Sequence, residues 1–266
     1  LGSTVLVEMS SLDEMLAPMS LHRDVAPGVH RIQDGPVNWY LVEADDGVLA
    51  IDAGLPSSWT SLRHALGAIG RPYADLRALV LTHAHFDHVG FARRAQAELE
   101  LPVFCGGGDH PLAAHPMKGK SERPRVLYAW RPATAVLLAR MVGAGVLWAP
   151  GLEGLHALEP GEVLDGLPGR PRVVAVPGHT LGSVAFHFQD RDTVISGDAL
   201  VTRDPYTGAI GPRLVARAAT GDVALARASL DAIAATHAQV VLPGHGEPWR
   251  KGAARASELA RMARIV

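Results

Sequence analysis

The chain has 266 residues, 48% of them hydrophobic and 20% charged, with a net charge of −2. That length supports one large α/β unit with a sizeable core. The near-neutral balance gives no electrostatic footprint for a phosphate backbone, so nucleic acid is not an expected partner. No apolar run approaches the ~20 residues of a membrane-spanning helix. The lone cysteine, Cys105, excludes an intramolecular disulfide. With no basic segment leading into an apolar run near the start, it points to the cytoplasm. Arginine far outnumbers lysine and alanine is abundant, which reads as a GC-rich bacterial source.

Taken in chain order, Val29–Gln33, Val37–Glu43 and Val48–Asp52 read as short strands separated by Asp-Gly-Pro and Asp-Asp-Gly turns. Trp59–Ile69 has helical spacing and stops at Gly70, before Pro72. Leu76–Leu81 is apolar apart from Arg77, as in a largely buried strand. Val89–Leu99 reads as a helix and Val103–Cys105 as a strand. From about residue 109 to 154 polar and proline-rich pieces surround an apolar helical segment, Ala133–Val142. This stretch reads as a lid-like insertion in a single domain covering 1–266. Strand patterns return at Arg172–Val176, Ser183–Phe188, Thr193–Ser196 and Gln239–Leu242, with helices over Val223–Thr236 and Ala253–Ile265. Two groups of strands, each followed by helices, predict two packed sheets with helices outside.

The chemistry concentrates in Thr82-His83-Ala84-His85-Phe86-Asp87-His88. Imidazole nitrogen and carboxylate oxygen suit zinc, iron or manganese. Residues two apart on an extended segment share a face, so His83 and His85 can point to one place. A loop after the strand can turn Asp87 and His88 back to the same point. Three further candidates follow predicted strands: His179 in Pro-Gly-His-Thr, Asp198 in Ser-Gly-Asp-Ala and His245 in Pro-Gly-His-Gly. Each is preceded by glycine, which permits a sharp turn and close backbone approach. Cys105 lies on an apolar strand and reads as structural, and Gly-x-Ser-x-Gly is absent.

With THAHFDH, PGHT, SGDAL and PGHG in place, and Ile51-Asp52-Ala53-Gly54 upstream, the chain resembles the metallo-β-lactamase-fold hydrolases from about Gly28 to His245. The resemblance implies an α/β fold, a four-layer αββα sandwich of two mixed sheets with outer helices. It implies two divalent metal ions, zinc first, with iron or manganese as alternatives. His83, His85 and His179 would hold the first, Asp87, His88 and His245 the second, and Asp198 would bridge them. Asp52 would orient a ligand histidine. A hydroxide shared by the metals, aimed by Asp87, would attack a small-molecule carboxylic ester, lactone or thioester.

Among the branches, Asp198 argues against a true β-lactamase, which generally lacks the bridging aspartate. Glyoxalase II-like thioesterases and lactonases share the full ligand set. Lactonases of quorum signals carry a tyrosine three residues after the bridging aspartate, where this chain has Val201, and Tyr206 stands further on. The expected pocket includes Tyr206, Trp130, Met141 and Trp148, an apolar wall that favours a substrate with an acyl or apolar part. A mono-iron persulfide dioxygenase shares most of the motif and stays open as an alternative, as does side activity on phosphotriesters or β-lactams. The protein is expected to be a monomer or homodimer.

Overall fold

The computed structural model describes residues 19–146 and 151–266. Seven strands form the first sheet in sequence order: β1 (Ser20–Ala26), β2 (Val29–Asp34), β3 (Val37–Ala44), β4 (Gly47–Ile51), β5 (Leu76–Val80), β6 (Val103–Gly106) and β7 (His156–Leu158). β1 to β4 are an antiparallel meander, and β4 to β7 run parallel. The second sheet is ordered β13 (Val240–Pro243), β10 (Thr193–Gly197), β9 (Val184–Phe188), β8 (Arg172–Ala175). Here β13 is parallel to β10, while β9 is antiparallel to both β10 and β8. A short ribbon pairs β11 (Val201–Arg203) with β12 (Ile210–Arg213).

Side-chain alternation on the strands builds four layers. Tyr40, Val42, Leu49, Ile51, Ala78 and Val80 turn inward and meet Val173, Val184, Phe186, Phe188, Ile195 and Leu242 of the second sheet. Their neighbours Trp39, Leu41, Ala50 and Leu79 turn outward. There they pack on α1 (Ser58–Ala68) through Leu62, Ala65 and Leu66, and on α2 (Ala92–Leu99) through Ala92 and Ala95. Val194 and Val241 on the other outer face pack on α5 (Val223–Ala234) and α6 (Ala253–Met262). A fully buried aliphatic or aromatic side chain contributes roughly 1.5–3 kcal/mol, so the three apolar layers dominate stability.

Between β6 and β7 lie α3 (His110–Ala113), 3-10 turns at Pro116–Lys118 and Arg125–Tyr128, and α4 (Pro132–Gly143). α4 matches the apolar helix expected at Ala133–Val142. Helix α2 begins three residues later than the pattern suggests. The amides of Gly90 and Phe91 donate to the carbonyls of Gly54 and Ala53, not to a preceding helical turn. The sequence reading also passes over β1, β7, β11 and β12. These are short or polar segments lying at sheet edges or in the ribbon, where no apolar alternation is required. Among the described residues, no helix is long and apolar enough to cross a membrane.

The two sheets are stitched near the loop after β13. Tyr40 donates its hydroxyl to the Pro243 carbonyl at 2.6 Å, and Asn38 Nδ2 donates to the carbonyls of Pro243 at 3.0 Å and Gly246 at 2.7 Å. The Asn38 amide adds a bond to Gly244 O at 2.8 Å. Tyr40→Phe removes one buried bond while Pro243 O keeps Asn38. It is expected to cost about 1 kcal/mol in urea unfolding. An unchanged midpoint would mean that this contact does not tie the sheets.

Candidate metal centre

β4, β5 and β6 are parallel, so their C-terminal ends reach one edge of the first sheet. β8, β10 and β13 point the same way in the second sheet. Asp52 follows β4, the histidine run follows β5, and Asp109 comes soon after β6. His179, Asp198 and His245 follow β8, β10 and β13. Six strand ends therefore deliver chemistry to one shared edge.

The seven residues His83, His85, Asp87, His88, His179, Asp198 and His245 are all buried there. Their ligand atoms form three interlocking groups able to hold metal: His83–His85–His179, His83–His88–Asp198 and Asp87–His88–His245. His85 Nδ1 and His179 Nε2 are 2.9 Å apart. Asp198 reaches across, with Oδ1 3.6 Å from His88 Nε2 and Oδ2 3.5 Å from His179 Nε2 and 3.1 Å from His245 Nε2. Asp87 Oδ2 stands 3.6 Å from His245 Nε2.

Partners behind the rings set which nitrogen faces the centre. His88 Nδ1 donates to Asp52 Oδ2 at 2.9 Å. His245 Nδ1 donates to the Pro36 carbonyl at 2.6 Å. His83 Nδ1 lies 3.1 Å from Thr82 Oγ1, which itself donates to Asp52. Each bond holds the proton on Nδ1 and leaves the Nε2 lone pair facing inward. His83 Nε2, His88 Nε2 and Asp198 Oδ1 are buried with no hydrogen-bond partner among the described residues. Buried polar atoms without partners are costly, and divalent cations would satisfy these. The donor set therefore fits metal.

Charge agrees with that fit. Burial, reinforced by neighbouring rings, holds His83 and His85 well below the ordinary imidazole range, and burial brings His179 down to about 4. Neutral imidazole is the form that ligates. At His88 burial also opposes protonation, yet Asp52, Asp198 and Asp87 outweigh it and raise the ring to about 10. His245 is raised for the same reason, chiefly by Asp198. Asp198 is held well below the carboxylate range because His245, His88 and His179 outweigh its burial. A cation would take over the positive charge that protons supply here.

The glycines before the ligands have a steric role. Gly178 adopts φ +130°, and a Cβ there would collide with the backbone of Ala226 in α5. A Cβ on Gly244 would strike the Asp198 carboxylate.

Asp52 adopts φ +61° and accepts from the Thr82 amide at 2.7 Å and hydroxyl at 2.8 Å, besides His88. Asp109 was missed in the sequence because it opens the irregular insertion. Its buried carboxylate accepts from the Ala84 amide at 2.9 Å, the Thr180 hydroxyl at 2.7 Å and the Gly182 amide at 2.7 Å. Ala84 lies between His83 and His85, and Thr180 follows His179. Asp109 thus clamps the loops of the three-histidine group, as Asp52 supports the group around His88. An acidic residue soon after the third parallel strand was the available signal.

A cavity over these groups is lined by Phe86, Leu137, Met141, Pro205 and Tyr206, together with Arg125. Leu137 and Met141, one turn apart on α4, form its apolar wall, and Tyr206 is 5% exposed. Burial raises the Tyr206 phenol to about 12, so it stays protonated. Trp130 corrects the expected pocket. It is 75% exposed, with its indole N–H on the Leu127 carbonyl and Arg131 stacked over its ring. The 3-10 turn ending at Tyr128 buries Tyr128 and leaves Trp130 outside. Trp148 lies outside the described residues. Cys105 is buried with its thiol pushed far up by burial, so no nucleophile is available there. Asp109→Ala is expected to lose about 3 kcal/mol or more in denaturant unfolding, because three buried donors lose their acceptor. A loss under about 1 kcal/mol would show that the clamp is dispensable.

Residues 32–245 match the Metallo-beta-lactamase superfamily. The chain is 26% identical over 247 residues to the probable metallo-hydrolase YflN of Bacillus subtilis, covering 85% of this chain and 86% of that one. It is 31% identical over 169 residues to the uncharacterized protein YobT of the same organism, covering 63% of this chain and 64% of YobT, which is under two thirds of that relative. Among solved structures, TTHA1623 in a di-iron-bound form is 28% identical with a TM-score of 0.60, covering 85% of this chain and 95% of that one. The metallo-beta-lactamase family protein TTHA1429 from Thermus thermophilus is 25% identical with a TM-score of 0.62, covering 88% of this chain and 78% of that one. The shared-edge site, the two mixed sheets and these matches lead to one assignment: the chain belongs to the metallo-beta-lactamase superfamily.

Proposed function

We propose that this protein is a dinuclear metal-dependent hydrolase that cleaves a carboxylic ester, lactone or thioester of a small molecule. The observation that carries the reading is the placement of Asp198 between two ligand groups, within 3.6 Å of His88, His179 and His245. Its Oδ2 stands near both His179 and His245 and its Oδ1 near His88, so one carboxylate reaches members of both groups, which suits two neighbouring cations better than one. Two ions, when bound, supply Lewis acidity that activates water near neutral pH and polarises the attacked oxygen.

The chain's own groups would do the rest. Asp87 would accept a hydrogen bond from the attacking water and fix its direction, since its carboxylate lines the cavity beside His245. Tyr206 would present a protonated hydroxyl to an oxygen of the substrate. Leu137, Met141 and Phe86 would exclude bulk water and give an acyl or apolar portion an apolar face to pack against once they move apart. Zinc is the first choice of metal, and iron is supported by the di-iron form of TTHA1623. The lone buried cysteine suits a cytoplasmic setting. Monomer and homodimer both suit the reading.

Metal analysis of the purified protein is expected to give two divalent ions per chain, and chelation to abolish turnover across a panel of aryl esters, lactones and thioesters. Full activity after complete metal removal would overturn the proposal. One iron per chain, with oxygen consumed in the presence of a persulfide, would favour the dioxygenase reading instead. Asp87→Ala is expected to reduce kcat by at least about 100-fold with KM moved far less, read from steady-state kinetics on the best substrate of that panel.

A further inference from the structure

The cavity over the ligand groups holds one charged side chain that the proposed chemistry does not use. Arg125 lines it beside His85, Asp87 and His179. Its guanidinium stands 6.0 Å over the Phe86 ring, and its Nε makes a long 3.4 Å bond to the Ala218 carbonyl. Among the described residues, no carboxylate pairs with it. Other inward arginines differ: Arg31 pairs with Glu247 at 2.9 Å, and Arg71 with Glu43 at 2.7 Å. Among the described residues the terminal nitrogens of Arg125 make no hydrogen bond, which leaves them open to an anionic partner.

The surrounding segment strengthens the point. Between Met117 and Arg131 the sequence places Lys118, Lys120, Arg123, Arg125 and Arg131 against one acid, Glu122. That acid is already committed to Arg217 and to the Val223 amide. The segment passes directly over the ligands. A Cβ built on Gly119 would stand 2.6 Å from His85 Nε2 and 3.7 Å from a terminal nitrogen of Arg125. This rim segment thus carries five of the chain's 25 lysines and arginines, with Arg125 lining the cavity and Arg131 lying outward over Trp130. Such a rim raises the local concentration of anions.

We propose that Arg125 is a specificity-determining residue that binds a carboxylate on the substrate, so that the preferred substrate is a carboxylate-bearing ester, lactone or thioester. This deepens the hydrolase reading and rests on it. One planar guanidinium matches the charge and two-oxygen geometry of a carboxylate. The carbon chain between that carboxylate and the scissile carbonyl would run along Leu137, Met141 and Phe86, which would have to move apart to admit it, because the cavity they line has room for only about 10 Å³.

The metal-loaded enzyme is assayed on a neutral aryl ester, 4-nitrophenyl butyrate, and on its charged counterpart, mono-4-nitrophenyl glutarate. Binding of glutarate is measured separately by calorimetry. Wild type is expected to prefer the charged ester. Arg125→Ala and the closer-fitting Arg125→Gln are expected to lower the charged-over-neutral ratio of kcat/KM about 10- to 100-fold, the range for losing a charge-assisted bond. Glutarate affinity should fall by a similar factor. Circular dichroism and metal content exclude misfolding as the cause. An unchanged ratio in folded, metal-loaded variants would overturn the proposal, as would wild-type preference for the neutral ester. If wild type cleaves neither ester, the calorimetry decides: Arg125-dependent glutarate binding supports the carboxylate site even though the hydrolase reading has failed. Glutarate binding that ignores Arg125, or is absent, sinks the site.

Discussion

Five imidazoles and two carboxylates share one buried space at the common edge of two sheets, and most of the surrounding structure answers to that crowding. Left alone, such groups would repel, protonate or seek water. Here three of the rings are oriented by what stands behind them. Asp52 accepts a hydrogen bond from His88 Nδ1, the Pro36 carbonyl accepts one from His245 Nδ1, and Thr82 supports His83. Asp109 then locks the loops that carry His83, His85 and His179 to one another. The two supporting carboxylates divide the labour, one for each group of ligands. Their own burial is tolerable because each is surrounded by donors.

This arrangement depends on strand direction. Only when β4, β5, β6, β8, β10 and β13 end at the same edge can single residues after each strand meet within a few ångströms. The apolar layers supply the rigidity that makes such distances hold. The stitches from Tyr40 and Asn38 to Pro243 and Gly246 carry that rigidity into the His245 loop. Bare backbone at Gly178 and Gly244 leaves the room this requires, since a methyl group at either would meet α5 or Asp198.

The segment between β6 and β7 serves a different end. It contributes none of the seven ligands, yet its α4 walls the cavity with Leu137 and Met141. Its 3-10 turn sets Arg125 inward and leaves Trp130 outward. The same short stretch of chain therefore separates an apolar wall, a cationic group and an exposed surface. Reactivity would reside in the two sheets and selectivity in this roof, a division that fits a fold able to host many substrates.

The sequence by itself determined the strands with clear alternation, the outer helices and the identity of the candidate ligands. The run from His83 to His88, three histidines and an aspartate, has few structural uses, and glycine before each distant ligand marks a tight loop after a strand. Local pattern carries that information because it is fixed by neighbours along the chain. It could not reveal β7 or the β11–β12 ribbon, which are short and held by pairing that no local alternation announces. For Asp109 it offered only an acidic residue soon after a strand, and the importance of that residue comes from meeting Ala84, Thr180 and Gly182 in space. The facing of residues in the roof was equally hidden: Trp130 and Met141 look alike as apolar residues near a helix, and only the packing of Tyr128 and α4 against the site sends one out and the other in. Which residues can bind metal was a matter of composition and spacing. Which atoms face the centre, and what holds them there, was settled by tertiary contacts between chain segments as far apart as Pro36 and His245.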